Sequence, residues 1–284
     1  MRAELNAPRP VRLSCPVRAC GTPLAREERR LACPRGHSFD LARGGYANLL
    51  QPQARRSRTP GDGPEAVAAR ERLADAGFDR ALVEAIGGWV LELGLGPGMG
   101  VLDAGCGIGT VLGRIAGATG VEAFGLDLST PAVRAAARRH AGPLWLVDNA
   151  DRRLPFLDAS LDLVLSVKGP KNPPEFARVL RPGGHLLLVV PGAGDLFELR
   201  KATAGAGLPR DPAERALPRF EEALELVERR AVVAEMALDA PLLQDLLRAV
   251  YRGQRRSEAG RAAALASGKV TSDSALLLLR RRYP

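Results

Sequence analysis

Aromatic residues are scarce in this chain: two Trp, three Tyr and seven Phe make up 4% of its 284 positions. Three His and four Cys leave a thin supply of catalytic and metal-ligating types. No run of eighteen apolar residues occurs, which argues against a membrane-spanning helix. Residues 1–12 carry scattered charge and two prolines but no apolar signal core, so export is not expected and the chain is assigned to the cytoplasm. Acidic residues are outnumbered: 41 Lys and Arg face 32 Asp and Glu, for a net charge of +9, with arginine heavily favoured over lysine. Part of that excess follows from an Ala/Arg/Gly-rich composition, so charge alone is a modest argument for an anionic partner. A chain of 284 residues has core enough for one large domain with a small satellite.

Glycine, in contrast, is placed with a pattern. Val101-Leu102-Asp103-Ala104-Gly105-Cys106-Gly107-Ile108-Gly109 is a short apolar run ending in an acid, followed by three glycines at alternate positions. A second apolar run, Ala123-Phe124-Gly125-Leu126-Asp127, again ends in an acid. The two describe a strand, a tight glycine turn into a helix, and a second strand whose terminal carboxylate faces the same crevice. Asp127 is placed to accept the ribose hydroxyls of an adenosine. A dinucleotide oxidoreductase is the rival reading, and a glycine turn without ligand is the bland one. The spacing Gly-x-Gly-x-Gly differs from G-x-G-x-x-G, and Asp103 would repel a pyrophosphate while attracting a cationic methionine moiety.

The N-terminal region holds a second pattern. Cys15 and Cys20, then Cys33 and His37, form two pairs on turns rich in proline and glycine. A Cys3His set satisfies a closed tetrahedral zinc site, which leaves no open position for catalysis, so its role is structural. The alternative is three reduced, unliganded thiols; a segment of some fifty residues with little apolar content needs a staple. Cys106, inside the glycine loop, is read as a small packed residue.

These patterns join into one succession. Cys33-Pro34-Arg35-Gly36-His37-Ser38-Phe39-Asp40 is followed by Gly45-Tyr46-Ala47-Asn48-Leu49-Leu50, then by Arg56-Ser57-Arg58-Thr59-Pro60-Gly61-Asp62, Ala69-Arg70 and Ala76-Gly77. Followed by Asp-x-Gly-Cys-Gly-x-Gly, this order resembles the bacterial 23S rRNA (guanine-N1)-methyltransferases, a family that includes macrolide-resistance members. The resemblance spans roughly residues 13 to 200. It implies S-adenosylmethionine as methyl donor, structural Zn2+, and a guanine in a 23S rRNA hairpin as acceptor. It places Asn149, Ala150 and Asp151 over the adenine, where the bland reading is a polar turn. The partners expected are 23S rRNA and a second copy of the chain in a homodimer, with no membrane.

The architecture expected is α/β: a class I S-adenosylmethionine-dependent methyltransferase, Rossmann-like, with a seven-stranded, mostly parallel sheet and a small N-terminal zinc-binding domain. Strands are predicted at 100–104, 122–127, 144–148, 161–167 and 185–191, with helices near 109–117, 130–140 and 172–180. Val227 to Leu238 and Ala275 to Tyr283 complete the sheet as an antiparallel pair. Residues 65–93 show helical spacing, and 241–267 reads as a helix bearing Arg248, Arg252, Arg255, Arg256 and Arg261. Arg55, Arg56 and Arg58 lie in a basic joint that either contacts phosphates or is a solvated linker. The division expected is 1–50 for zinc and RNA recognition, 51–95 for linker and helices, and 96–284 for the methyltransferase. His185, at the wrong end of its strand for chemistry, is read as structural.

Several positions depart from the family pattern. Phe78-Asp79 stands where the family has a Tyr, Lys168-Gly169-Pro170 where an aromatic precedes the proline, Asp195 where a His is frequent, and Ile108 where the glycine loop has Glu. Asp79, Ile108 and Asp195 are grouped with Asp103, Gly105, Gly107, Gly109, Asp127, Asn149, Ala150 and Asp151 as cofactor-binding positions. No residue identifies itself as the base that guanine N1 needs; Asp148, Asp151, Asp79 and Asp195 qualify by position only. Two other functions stay open: a diverged methyltransferase acting on another RNA or a small molecule, and a non-catalytic zinc-containing RNA-binding protein.

Overall fold

The computed structural model describes residues 13–54, 61–204, 212–250 and 267–283. Four short strands come first: β1 (Leu13–Ser14), β2 (Pro23–Arg26), β3 (Arg30–Ala32) and β4 (Ser38–Asp40). They pair antiparallel in that order into a small ribbon. The β1–β2 turn carries Cys15 and Cys20, and the β3–β4 turn carries Cys33 and His37.

The main sheet contains β5 (Tyr46–Asn48), β6 (Gly100–Ala104), β7 (Glu122–Asp127), β8 (Leu144–Val147), β9 (Leu161–Val167), β10 (Leu180–Pro191), β11 (Leu224–Asp239) and β12 (Ser267–Arg281). Their spatial order is β11-β12-β10-β9-β6-β7-β8-β5. The six strands from β5 to β10 run parallel, and β12 lies antiparallel between β10 and β11. All seven expected strands are there, and Tyr46–Asn48 adds an eighth beside β8. This short strand falls inside the segment expected to belong to the zinc domain.

Helices α1 (Pro64–Asp75) and α2 (Arg80–Glu92) precede the core, and α3 (Thr110–Thr119), α4 (Thr130–Arg139) and α5 (Pro173–Val179) connect its parallel strands. Helix α4 starts where the sequence dictates, because the Ser129 hydroxyl accepts from Ala132 N and Pro131 occupies the first turn. Beyond β10 come α6 (Phe197–Ala204), α7 (Pro212–Ala216) and α8 (Ala240–Val250). The helix expected over 241–267 is seen as α8, where Arg248 pairs with Asp245; Arg252, Arg255, Arg256 and Arg261 lie outside the described residues, as do Arg55, Arg56 and Arg58. No helix among the described residues is long and apolar enough to cross a membrane.

The two faces of the sheet are covered differently. Leu82, Ile86 and Trp89 of α2, Leu112 and Ile115 of α3, and Val133 and Ala136 of α4 pack with Val101, Trp145, Leu165 and Leu187 on one face. On the other, Phe176 and Val179 of α5 and Ala213 and Ala216 of α7 share a cluster with Leu102, Phe124 and Leu186. No helix connects β8 to β9. There the ribbon supplies the cover: Leu13, Leu24 and Leu31 belong to the same buried cluster as Phe124, Leu144 and Phe156. Leu13 bridges to Phe156, and Ser14 N donates to Pro155 O at 3.0 Å. The ribbon is thus a structural layer of the methyltransferase fold.

Strand order reverses about β6 and β9, so the carboxyl ends of these strands open a crevice at the topological switch point. Past the end of β10, β11 and β12 continue as a two-stranded arm, paired from Val233–Asp273 to Asp239–Ser267. Leu196, Leu199, Leu238, Leu243, Leu246 and Val270 bury α6 and α8 against that arm.

Candidate active site

The glycine turn at the end of β6 has the geometry its sequence demands. Gly105, Gly107 and Gly109 have φ of 86, 54 and 78°, which L side chains resist. A Cβ on Gly109 would lie 2.4 Å from Trp145 Cη2, and one on Gly105 would lie 2.5 Å from Pro170 Cδ. A Cβ on Gly107 would meet nothing within 4 Å among the described residues, so this residue faces open space there. Trp145, 1% exposed, forms the floor of the turn.

Asp127 closes the turn from the neighbouring strand. Its Oδ2 accepts from Gly107 N at 3.0 Å and its Oδ1 from Ser129 N at 2.8 Å. Ser129 is held in turn, because its hydroxyl donates to Asp62 O at 2.6 Å. Arg70 Nε reaches Asp62 Oδ2 at 3.2 Å, and Arg70 Nη2 donates to Ala249 O. The segment before α1 therefore braces the carboxylate that ends β7.

Two other acids are buried with an oxygen unpartnered. Among the described residues, Asp103, 2% exposed, has no hydrogen-bond partner for its Oδ1, and Asp148, 4% exposed, has none for its Oδ2. Burial, helped by the nearby Asp127 charge, pushes the Asp103 carboxyl up to about 7. Burial raises Asp148 to about 6, against a bond from Asn149 N. Orphaned buried oxygens are uncommon and costly, and a ligand carrying donors or positive charge removes that cost.

At the end of β8, Asn149 and Ala150 are buried and Asp151 is exposed, with Asp151 N donating to Asn149 Oδ1 at 3.0 Å. A residue far along the chain locks this turn: Asn172 Nδ2 donates to Ala150 O at 2.9 Å and to Arg152 O at 2.8 Å. Glu175 accepts from Leu154 N, and Arg178 donates to Phe156 O. Only the fold could show that α5 pins the turn after β8.

The remaining predicted positions separate into groups. Ile108 turns its side chain away from the open space and packs with Val67, Ala132 and Ala135, joining α1 to α4. The buried Cys106 thiol is raised well above its ordinary range by burial and the acids beside it, as suits a packed residue. Asp79 feels the charges of Lys168 and Asp195, and Lys168 Nζ lies 3.0 Å from Asp195 Oδ1. His185 lies inside β10, paired with Leu163 and Arg280.

In the ribbon, Cys15, Cys20, Cys33 and His37 bring all their ligand atoms within 4.8 Å of one another. The Cys20–Cys33 sulfurs are 3.9 Å apart, and His37 Nδ1 lies 3.5 Å from Cys15 Sγ and 3.4 Å from Cys33 Sγ. A tetrahedron with bonds of about 2.3 Å to sulfur and about 2.0 Å to nitrogen has edges of about 3.8 and 3.5 Å. The three distances above match those edges, and the remaining pairs lie within 4.8 Å. A cleft of about 590 Å³ runs from Cys15, Arg18 and Cys20 to Asp148, Arg152 and Arg153, so the Cys/His cluster and the end of β8 border one opening.

A family model for the N-terminal part of RlmA, a zinc ribbon, matches residues 13–58, and a methyltransferase-domain model matches 101–184. The 23S rRNA (guanine(748)-N(1))-methyltransferase of Streptomyces fradiae is 40% identical over 216 residues, covering 74% of this chain and 75% of that one. The chain belongs to the 23S rRNA (guanine-N1)-methyltransferase family. A protein of Micromonospora griseorubida named for the same activity is 42% identical over 225 residues, covering 72% of this chain and 73% of its own. Among solved structures, the methyltransferase complexed with the Trm112 activator of Haloferax volcanii superposes with a TM-score of 0.53 at 20% identity, covering 78% of this chain and 96% of that one. The YcgJ protein of Bacillus subtilis gives 0.51 at 16% identity, covering 71% and 100%. Those two establish the class I methyltransferase fold alone. A member of this family is an enzyme, so the dehydrogenase and non-catalytic readings fall away.

Proposed function

We propose that the protein transfers a methyl group from S-adenosylmethionine to N1 of a guanine in a 23S rRNA hairpin loop. The observation that carries this reading is the crevice itself: an open glycine turn between Asp103 and Asp127, with buried carboxylate oxygens lacking partners. A nucleoside bearing positive charge suits it. Asp127 takes the ribose hydroxyls, Gly105, Gly107 and Gly109 let the backbone approach, and Asp103 faces the cationic methionine end. Asn149, Ala150 and Asp151 edge the adenine, while Ile108 contributes only its backbone. The bound cofactor supplies an electrophilic methyl on a sulfonium; the protein's part is to align the acceptor in line with it. Radiolabelled methyl transfer to a 23S rRNA fragment, followed by nucleoside digestion, tests this: 1-methylguanosine supports it, and a different methylated nucleoside or none refutes it.

The Asp103 carboxyl gives this reading a pH signature. With its pKa raised to about 7, the folded ligand-free protein keeps a proton that the unfolded chain gives up near pH 4. That contribution favours the fold below this window and is lost as pH rises from about 4 to about 7. A bound cation ionises the acid, so calorimetry at pH 7 in buffers of different ionisation enthalpy is expected to show about half a proton released per cofactor. Asp103→Asn is expected to abolish that release; an identical release by both proteins contradicts the assignment.

Cys15, Cys20, Cys33 and His37 hold Zn2+ in a structural role, and residues 1–50 carry the zinc-binding, RNA-recognising part together with strand β5 of the main sheet, with 51–95 joining them to the methyltransferase of 96–284. We assign the cleft lined by Arg18, Arg152 and Arg153 to the RNA backbone. Arg152→Glu with Arg153→Glu is expected to reduce the salt slope of RNA binding by about two; an unchanged slope sinks the assignment. Localisation in the cytoplasm and a homodimer complete the proposal. Leu226, Val227 and Val233, exposed on the edge strand β11, offer an apolar surface to a second copy. Sedimentation equilibrium at twice 30.2 kDa supports the dimer, and a monomer refutes it.

A further inference from the structure

Three of the positions that depart from the family pattern meet in space. The chain has four lysines against 37 arginines, and Lys168 and Lys171 share the one loop that follows β9. Lys168 has φ of 49°, a conformation that few residues other than glycine adopt. It is fixed there at both ends. Its N donates to Val189 O at 2.9 Å, and its Nζ lies 3.0 Å from Asp195 Oδ1. The same oxygen accepts from Asp273 N at 3.0 Å, which ties Asp195 to the β11–β12 arm.

The loop lies directly on the donor turn. A Cβ on Gly169 would sit 3.0 Å from Ala104 O, and Pro170 packs on Gly105. Next to Phe78, which packs against the cluster that holds Leu196 beside Asp195, Asp79 lies at the junction of α1 and α2. Its carboxylate faces the charges of Lys168, Arg70 and Asp195, and burial raises its pKa. It makes no capping bond to α2, nor any other side-chain hydrogen bond among the described residues. An ammonium has three donors, and Asp195 engages one of them.

Building on the guanine-N1 reading above, we propose that Lys168 and Asp79 handle the acceptor base, with Asp195 as the positioning residue. Lys168 donates to guanine O6, and Asp79 receives the N1 proton. The N1–H bond breaks toward the Asp79 carboxylate, and the pair left on N1 spreads onto O6, where Lys168 stabilises it. That pair forms the N1–CH3 bond as the CH3–S+ bond breaks, its electrons staying on sulfur. The charges of the sulfonium and the carboxylate are both neutralised, so the step balances. An ammonium at O6 also selects guanine, because adenine places a donor at that edge.

Single-turnover transfer to the 23S hairpin at saturating RNA tests these roles. Lys168→Met is expected to slow transfer by about 10²–10³-fold, with cofactor affinity by calorimetry and melting temperature close to wild type. Lys168→Arg, which keeps the charge, is expected to recover part of the rate. Asp79→Asn is expected to slow transfer by about 10²-fold or more and to remove the acidic limb of the rate–pH profile. A readout without turnover is available because lysines are so few. In protein labelled at lysine 13Cε, the Lys168 signal is expected to move on adding the hairpin, and to move less when the target guanine is replaced by adenine. Wild-type rates in Lys168→Met, an acidic limb that survives in Asp79→Asn, or equal Lys168 shifts with both bases overturn the proposal. If the wild-type protein binds cofactor but leaves the hairpin unmethylated, the guanine reading fails and this proposal falls with it.

Discussion

Chelating the zinc, or replacing Cys33 with Ser, is expected to lower the melting temperature of the whole chain by about 10–20 °C. A satellite joined by a loose linker would melt by itself and leave the core untouched. Here the ribbon takes the place of the helix missing between β8 and β9, and Leu13, Leu24 and Leu31 lie in the sheet's own buried cluster. Each such leucine contributes about 1.5–3 kcal/mol when buried. Loss of all three removes about 5 kcal/mol or more, which at about 2–4 °C per kcal/mol gives the shift stated. The shared cleft predicts that cofactor affinity weakens as well, because Ser14 N anchors the ribbon to the Pro155 carbonyl near Asp148. Calorimetric melts of zinc-loaded and chelated protein, with zinc counted by mass spectrometry, check this. An unchanged transition after the metal has gone contradicts it.

Asp127→Ala is expected to weaken cofactor binding by about two to three orders of magnitude. Hydrogen bonds to a charged carboxylate contribute about 1.5–3 kcal/mol each, and two ribose hydroxyls are lost together. Every 1.4 kcal/mol is about tenfold. Part of the loss acts through the protein, because Asp127 also receives Gly107 N and Ser129 N and so holds the turn in shape. Asp127→Asn, which keeps one acceptor, is expected to recover about tenfold. Isothermal titration of the three proteins measures the series. An alanine variant within fivefold of wild type would show that the carboxylate does not face the ligand.

The features legible in the sequence were those with a local signature. Asp103, the alternate glycines and Asp127 are close in the chain and repeat a strand–turn–helix–strand rule, and they fold as that rule requires. Cys15, Cys20, Cys33 and His37 announce themselves by residue type, and their atoms converge to tetrahedral spacing. Tyr46–Asn48 was not legible as a strand of the main sheet, because three residues carry no periodicity and the partner, Trp145 to Val147, lies far along the chain. The inward turn of Ile108 toward Val67 depends on where α1 docks, and sequence pattern does not specify that. The Asn172 bond to Ala150 O and the meeting of Asp79, Lys168 and Asp195 are equally tertiary. Each of those residues, read alone, is an ordinary polar residue in a loop or at a helix end. Their departure from the family pattern marked them, but only the fold put them in one place.

The activity proposed for this chain is methylation of N1 of a 23S rRNA guanine. Primer extension on 23S rRNA from cells with and without the gene tests it directly, because a methyl on N1 blocks Watson–Crick pairing and halts reverse transcription. The expected result is one strong stop beside a hairpin-loop guanine that vanishes with the gene and returns when it is restored. Identical stop patterns in both cells would show that the protein does not methylate N1 of this guanine.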